Sequence, residues 1–219
     1  MNDQLVLKFP EHRAYKREDF YVSPSNQEAY DFINSWPKWI KRIVNIFGPP
    51  GSGKSHLSSI LKNKTPCLKI NSSELNEKIF YKFKTKEVLI IENLNEKISE
   101  ELLFSLWNVA LQDNKYFLIN SIKPISSYKF KLPDLISRVK SCLIIGINLP
   151  SDDLISAIIT KNFSDKQILV EKKHIDYILK RIDRSYEKIS QFILTLDKYS
   201  LKKGTPFSLK LIKEVLKMM

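Results

Sequence analysis

Apolar runs of four to six residues alternate with helical periodicity as far as residue 147. The runs are Ile43–Phe47, 67–70, 88–91, 116–119 and 142–147, each of strand length and bounded by polar residues or glycine. Between them apolar side chains recur three and four apart: Leu57, Ile60 and Leu61 after Lys54, then residues 72–80 with Ser72 or Ser73 as the cap. The same spacing holds Ile98, Leu102, Leu103, Leu106, Val109 and Leu111 within 98–113, and a short helix follows over 133–140. Ahead of the first run, residues 27–33 also read as a helix, with Ser25 or Asn26 at its cap and its end near Trp36 and Pro37. Runs that are apolar throughout suit parallel strands covered on both faces. Five of them interleaved with helices predict an α/β fold, a doubly wound parallel five-stranded sheet with a ligand site at its carboxyl edge.

The pattern changes at Asn148-Leu149-Pro150. Beyond it the periodicity is helical only, over 152–161, 171–181, 185–199 and 208–218. This predicts an all-helical C-terminal domain over 150–219 behind an α/β domain over 11–149. Residues 1–10 form a tail in which Gln4-Leu5-Val6-Leu7-Lys8-Phe9 is mostly apolar, stopped by Pro10 and followed by a charged stretch. Such a peptide needs a partner's groove, a sheet edge or its own core to cover it.

The sequence GPPGSGKS at 48–55 stands between the first strand and the helix after it, the strand–loop–helix context of a P-loop. Gly48, Gly51 and Gly53, with Pro49, Pro50 and Ser52 between them, let the backbone turn so that N–H groups and a helix N-terminus converge on phosphate. Lys54 is then placed for the β- and γ-phosphates and Ser55 for Mg²⁺. Three of the chain's five glycines lie in this loop, so glycine is not scattered there by composition. The run 88–91 ends in Glu92, a carboxylate delivered to the nucleotide's Mg²⁺. The run 116–119 ends in Asn120 and Ser121, polar groups at the same edge that suit γ-phosphate sensing.

Composition narrows the picture. No apolar stretch approaches the ~20 residues of a membrane span and the N-terminus has no signal-peptide core, so a cytoplasmic protein is expected. Cys67 and Cys142 open predicted strands without a CxxC partner, and His12, His56 and His174 are isolated, so no metal cluster is expected. Lysine and arginine number 36 against 24 acidic residues, a net charge of +12. The lysines are spread along the chain, which fits a solvated surface as well as non-specific, salt-dependent contact with DNA.

The order of these parts resembles the AAA+ ATPases, and within them the DnaA-related family. DFYVSPSNQEA at 19–29 is similar to the DnaA segment that packs near adenine, which implies a nucleotide contact for Asn26. GPPGSGKSHL is similar to that family's P-loop region and extends it to His56. LPDLISRVKS resembles the box carrying the arginine finger and KRIDRSYEKI the sensor 2 helix of the lid. QLVLKF resembles a peptide that binds the sliding clamp.

With no helix-turn-helix domain after the lid, the resemblance is closest to the regulators that inactivate DnaA. It implies ADP or ATP with Mg²⁺ held by the P-loop, Ser55 and Glu92; Asn120 or Ser121 as sensor 1; and Arg184 as sensor 2. Arg138 is implied as an arginine finger acting in trans on ATP bound to DnaA. Gln4, Leu5, Leu7 and Phe9 are implied to dock on the DNA-loaded replicative clamp, the DNA polymerase III β subunit. Asn93 stands where the family carries the acid that polarises the attacking water; an amide orients water but cannot take its proton, so slow turnover is expected. Homo-oligomers through the same interface, and a place at the replisome or nucleoid, follow from the resemblance. A helicase loader and a DNA-binding replication adaptor are the alternatives it leaves open.

Overall fold

A computed structural model describes residues 20–165, 167–203 and 208–219, without the side chains of 202 and 203. The tail residues Gln4, Leu5, Leu7 and Phe9 lie outside the described residues. Five parallel strands form one sheet in the order β2-β3-β4-β1-β5: β1 Ile43–Phe47, β2 Cys67–Asn71, β3 Val88–Leu94, β4 Tyr116–Ser121 and β5 Leu143–Gly146. The helices of this part are α1 Gln27–Asn34, α2 Lys54–Lys62, α3 Lys78–Lys84, α4 Glu100–Gln112 and α5 Pro133–Lys140.

Alternate strand residues supply two cores. Leu89, Ile91, Phe117 and Ile119 pack under α3, α4 and α5 with Phe83, Trp107 and Leu135. Val88, Ile90, Leu118, Val44 and Ile46 pack under α1 and α2 with Ile33, Leu57 and Leu61. Both faces of the sheet are therefore covered, the reason its strands read as continuous apolar runs.

Four further helices, α6 Asp152–Ser164, α7 Lys172–Leu179, α8 Tyr186–Lys203 and α9 Leu209–Lys217, share a third core that includes Ile155, Ile159, Phe163, Phe192, Leu196 and Ile212. Serine caps start several helices: Ser99, Ser151 and Ser208 each accept from the backbone N–H three residues on, at the start of α4, α6 and α9. Each such cap is worth about 1 kcal/mol. Among the described residues no helix is long and apolar enough to cross a membrane.

The structure corrects three local expectations. Residues 72–80 are not one helix: a 3-10 turn spans Ser72–Glu74, and α3 begins only at Lys78. The cap there is Asn71, whose side chain accepts from Ser73 N–H while Glu74 reaches back to Asn71 N–H, closing a capping box. Asn76 Oδ1 then accepts from Lys78 N–H at 3.0 Å and starts α3 separately. At α1 the N-cap is Asn26, but its side chain makes no cap bond. It accepts from Ser23 N–H at 2.8 Å and donates to Tyr21 O at 2.9 Å, folding the preceding segment onto itself. Strand β4 runs on through Asn120 and Ser121, which are buried within the sheet.

Candidate nucleotide site

The loop after β1 lies where a ligand site belongs in a doubly wound sheet, at the carboxyl edge next to the strand-order reversal. Gly51 and Gly53 have φ of +79° and +91°, in the left-handed region that favours glycine, and Gly53 is the N-cap of α2. A Cβ at Gly53 would stand 2.8 Å from the Phe20 ring, so the same glycine lets the residues ahead of α1 close over the loop. Phe20 in turn stacks on Tyr30 and meets His56 edge-on.

Lys54 Nζ folds back onto the loop, donating to Gly48 O at 2.7 Å, Pro49 O at 2.9 Å and Ser52 Oγ at 3.3 Å. Burial pulls its pKa down to about 8, although the Glu92 carboxylate nearby acts to raise it. Ser55 Oγ donates to Glu92 Oε2 at 2.8 Å, linking the first turn of α2 to the tip of β3.

Glu92 is buried and held ionised by a neighbour the sequence did not single out. Lys69 Nζ lies 3.0 Å from Glu92 Oε1 and donates to Ser55 O at 3.3 Å. Burial alone would raise the Glu92 pKa, but the Lys69 charge, with the Ser55 hydroxyl and the Asn120 amide, outweighs it and holds the carboxyl below its usual range. A lysine in the middle of an otherwise apolar run, Cys67-Leu68-Lys69-Ile70, was the signal for this contact.

The loop faces a cleft of about 490 Å³, within the size range of small-molecule sites. One wall is polar: the loop from Pro50 to Ser55, then His56, Asn26 and Asn93. The other comes from the helical domain and is largely apolar, with Leu154, Ile158, Ile189, Ile193 and Leu194, together with Lys161 and Tyr186. A polar cradle of backbone N–H groups beside an apolar slot matches a phosphorylated ligand with a flat aromatic base.

Asn93 holds φ at +56°, at an irregularity where the β3–β4 register shifts between Ile91 and Leu94. The side chain of Asn93 is exposed at the cleft, while its carbonyl accepts from Ser72 Oγ at 2.7 Å and Asn95 Nδ2 at 3.2 Å.

Gly48, Pro49, Glu92, Asn120, Ser121, Arg138 and Arg184 lie outside the cleft wall. Asn120 donates to Ser58 Oγ at 2.7 Å, tying β4 to α2. Ser121 accepts from Asn45 Nδ2 at 2.8 Å and donates to Lys123 O at 2.7 Å. Arg184 pairs with Asp152 at 3.1 Å, and its side chain is 61% exposed. Arg138 is exposed in the last turn of α5, where no carboxylate among the described residues holds its guanidinium.

A resident Mg²⁺ between Ser55 and Glu92 would need open oxygen lone pairs and uncancelled negative charge. Ser55 gives its proton to Glu92 and keeps its oxygen lone pairs open, but the one carboxylate already faces an ammonium. As built, the site offers the metal no uncancelled negative charge. Cys67 and Cys142 are free thiols whose pKa values burial pushes up to about 12, and no group of metal-ligating side chains occurs among the described residues.

A glycine-rich loop opening a helix at the carboxyl edge of this sheet, under a helical lid, defines a P-loop domain of the AAA+ fold. No family model matches the chain. In sequence it is similar to the chromosomal replication initiator protein DnaA of Campylobacter concisus, 25% identical over an aligned span of 229 residues that covers 93% of this chain and 52% of that protein. The chain spans about half the length of the curated relatives it matches.

In structure it is similar to domain III of the Thermotoga maritima replication initiation protein DnaA, with a TM-score of 0.78 at 20% identity, covering 95% of this chain and 98% of that one. It is also similar to a replication initiator DnaA bound to AMPPCP and single-stranded DNA, with a TM-score of 0.68 at 16% identity over 87% of this chain and 68% of that one. The fold is the AAA+ fold of the DnaA replication initiators.

Proposed function

We propose that this chain holds ADP or ATP in the cleft and acts as a regulator of replication initiation related to DnaA, an Hda-type inactivator rather than a motor. The observation that carries the reading is the tip of β3. A glycine-rich loop borders a cleft with a partly apolar wall, but the residue after Glu92 is Asn93, whose amide cannot take a proton from water. Such a site retains a nucleotide better than it turns one over.

The catalytic contribution is then made elsewhere. Arg138 projects from α5 as a guanidinium for a neighbouring subunit, where it stabilises charge developing on the γ-phosphate of ATP bound to DnaA. The tail residues Gln4, Leu5, Leu7 and Phe9 dock on the DNA-loaded sliding clamp, raising the local concentration of two weak partners near the replication fork. The +12 charge supports non-specific contact with the same DNA. Arg184 reaches the phosphates only after exchanging Asp152 for them, a step of lid closure on nucleotide.

The test is hydrolysis of ATP preloaded on DnaA, with this protein added in the presence and absence of DNA-loaded clamp, beside Arg138→Ala. Clamp-dependent acceleration that falls by about tenfold or more in the variant is the expected result. No acceleration by a protein shown to bind the clamp would overturn the inactivator role and bring the helicase-loader reading forward.

A further inference from the structure

The strand register puts Lys69 of β2 opposite Ile90 of β3, on the same face as Glu92 two residues further along and beneath α2. From there its ammonium reaches the strand-tip carboxylate that a P-loop site offers a divalent ion, at 3.0 Å from Glu92 Oε1, and the backbone carbonyl of Ser55 at 3.3 Å. The lysine side chain is 27% exposed and the glutamate 8%, so the charges meet largely out of water.

Charge bookkeeping at the site points the same way. Magnesium in nucleotide sites is held by one or two carboxylates plus the phosphates. Here the strand tip supplies one carboxylate, since Asn93 follows it, and Lys69 already neutralises that one. An added dication would sit beside an ammonium with no uncancelled protein charge to hold it.

We infer that Lys69 is a built-in counter-cation that takes the place of Mg²⁺, so that this site binds the di- or triphosphate of a nucleotide without a divalent metal. Lys54 and Lys69 together supply two positive charges against Glu92, and the phosphates supply the remaining negative charge. Mechanistically the substitution belongs with Asn93. Without a metal to align the γ-phosphate, and without a base, the bound nucleotide is a fixed structural ligand.

The inference rests on the nucleotide-binding reading above, and one experiment separates the two. The full chain is titrated with ADP and with ATP by calorimetry, in Mg²⁺ and in excess EDTA, beside Lys69→Met and Lys69→Arg. The expected result is wild-type affinity that differs by less than about threefold between the two buffers, and a Lys69→Met protein that loses about tenfold or more in EDTA and recovers in Mg²⁺. Lys69→Arg keeps the charge and the metal independence. Wild-type affinity that collapses on chelation overturns the inference while leaving nucleotide binding intact, and needs no variant to fold. Absence of ADP and ATP binding in both buffers overturns the nucleotide reading itself.

Discussion

Gly51 of the phosphate loop faces Tyr186 of the lid so closely that a Cβ added to the glycine would stand 3.0 Å from the tyrosine Cβ. Tyr186 opens α8, and its hydroxyl donates to the carbonyl of Asn148 at 3.2 Å and lies 3.5 Å from Ser25 Oγ. Burial raises its phenol pKa, with Ser25 partly offsetting the rise. One side chain therefore touches the loop, the connection between β5 and α6, and the segment ahead of α1.

Replacing Gly51 with alanine places a side chain at φ +79° and against a backbone-anchored atom at once. The strained backbone alone costs about 1–3 kcal/mol. We expect Gly51→Ala to lower the melting temperature without ligand and to remove most of the shift that ADP gives the wild-type protein. Tyr186→Phe leaves Asn148 O without its donor and should cost about 1 kcal/mol while keeping the ADP shift. Thermal melts with and without ADP separate the two. A Gly51→Ala protein with an undiminished ADP shift would show that the loop tolerates the contact.

Asn45 is a polar residue inside β1 and fully buried. It donates to Ile119 O at 2.9 Å and to Ser121 Oγ at 2.8 Å, and accepts from Ile125 N–H at 2.8 Å. It binds β4 and the turn after it to the strand that carries the loop. Asn45→Ala strands these groups in the core, at a cost of about 2–4 kcal/mol. Chemical denaturation should show a lower midpoint at unchanged m-value. A loss below about 0.5 kcal/mol would mean that the neighbours find other partners.

The parts legible in the sequence were those whose cause is local. The strands announced themselves as apolar runs because both faces of the sheet are covered, and residues 133–140 read correctly because proline opens that helix. The loop at 48–55 was legible because only glycine serves its turns. What escaped depends on register. In the sequence Lys69 is only a charge inside an apolar run, and its partner Glu92 becomes visible once β2 is set against β3. The left-handed backbone of Asn93 follows from a register shift that alternation of residue types does not reveal. Arg184 lies in the bend between α7 and α8 rather than on a helix, Asn120 lies within β4 rather than beyond it, and their side chains bond to Asp152 and Ser58.

The two cysteines should be inert in the folded protein. Their thiol pKa values of about 12 arise chiefly from burial. At pH 8 the thiolate is then about one part in ten thousand, and it is the thiolate that reacts. Ellman's reagent should label neither residue rapidly in native buffer and both after unfolding in guanidinium. Rapid labelling in native buffer would place a thiol at the surface.

Lys54 makes nucleotide affinity depend on pH with a definite sign. In the folded protein its pKa is lowered from 10.5 to about 8, by burial working against the attraction of Glu92. Phosphate oxygens favour the ammonium form, so bound nucleotide raises the value again. Between the free and bound values, binding takes up a proton. Affinity should thus be flat below about pH 7 and fall by up to about tenfold per pH unit above 8.

Folding moves in the opposite sense. The unfolded chain holds this proton up to 10.5, so the stability of the ligand-free protein gains from this group as pH rises from 8 toward 10.5. Calorimetric titrations of ADP at pH 6.5, 7.5, 8.5 and 9.5, with Lys54→Met as the control, check both the slope and its origin. A wild-type profile as flat as that of the variant would show that Lys54 does not carry the charge that meets the phosphates.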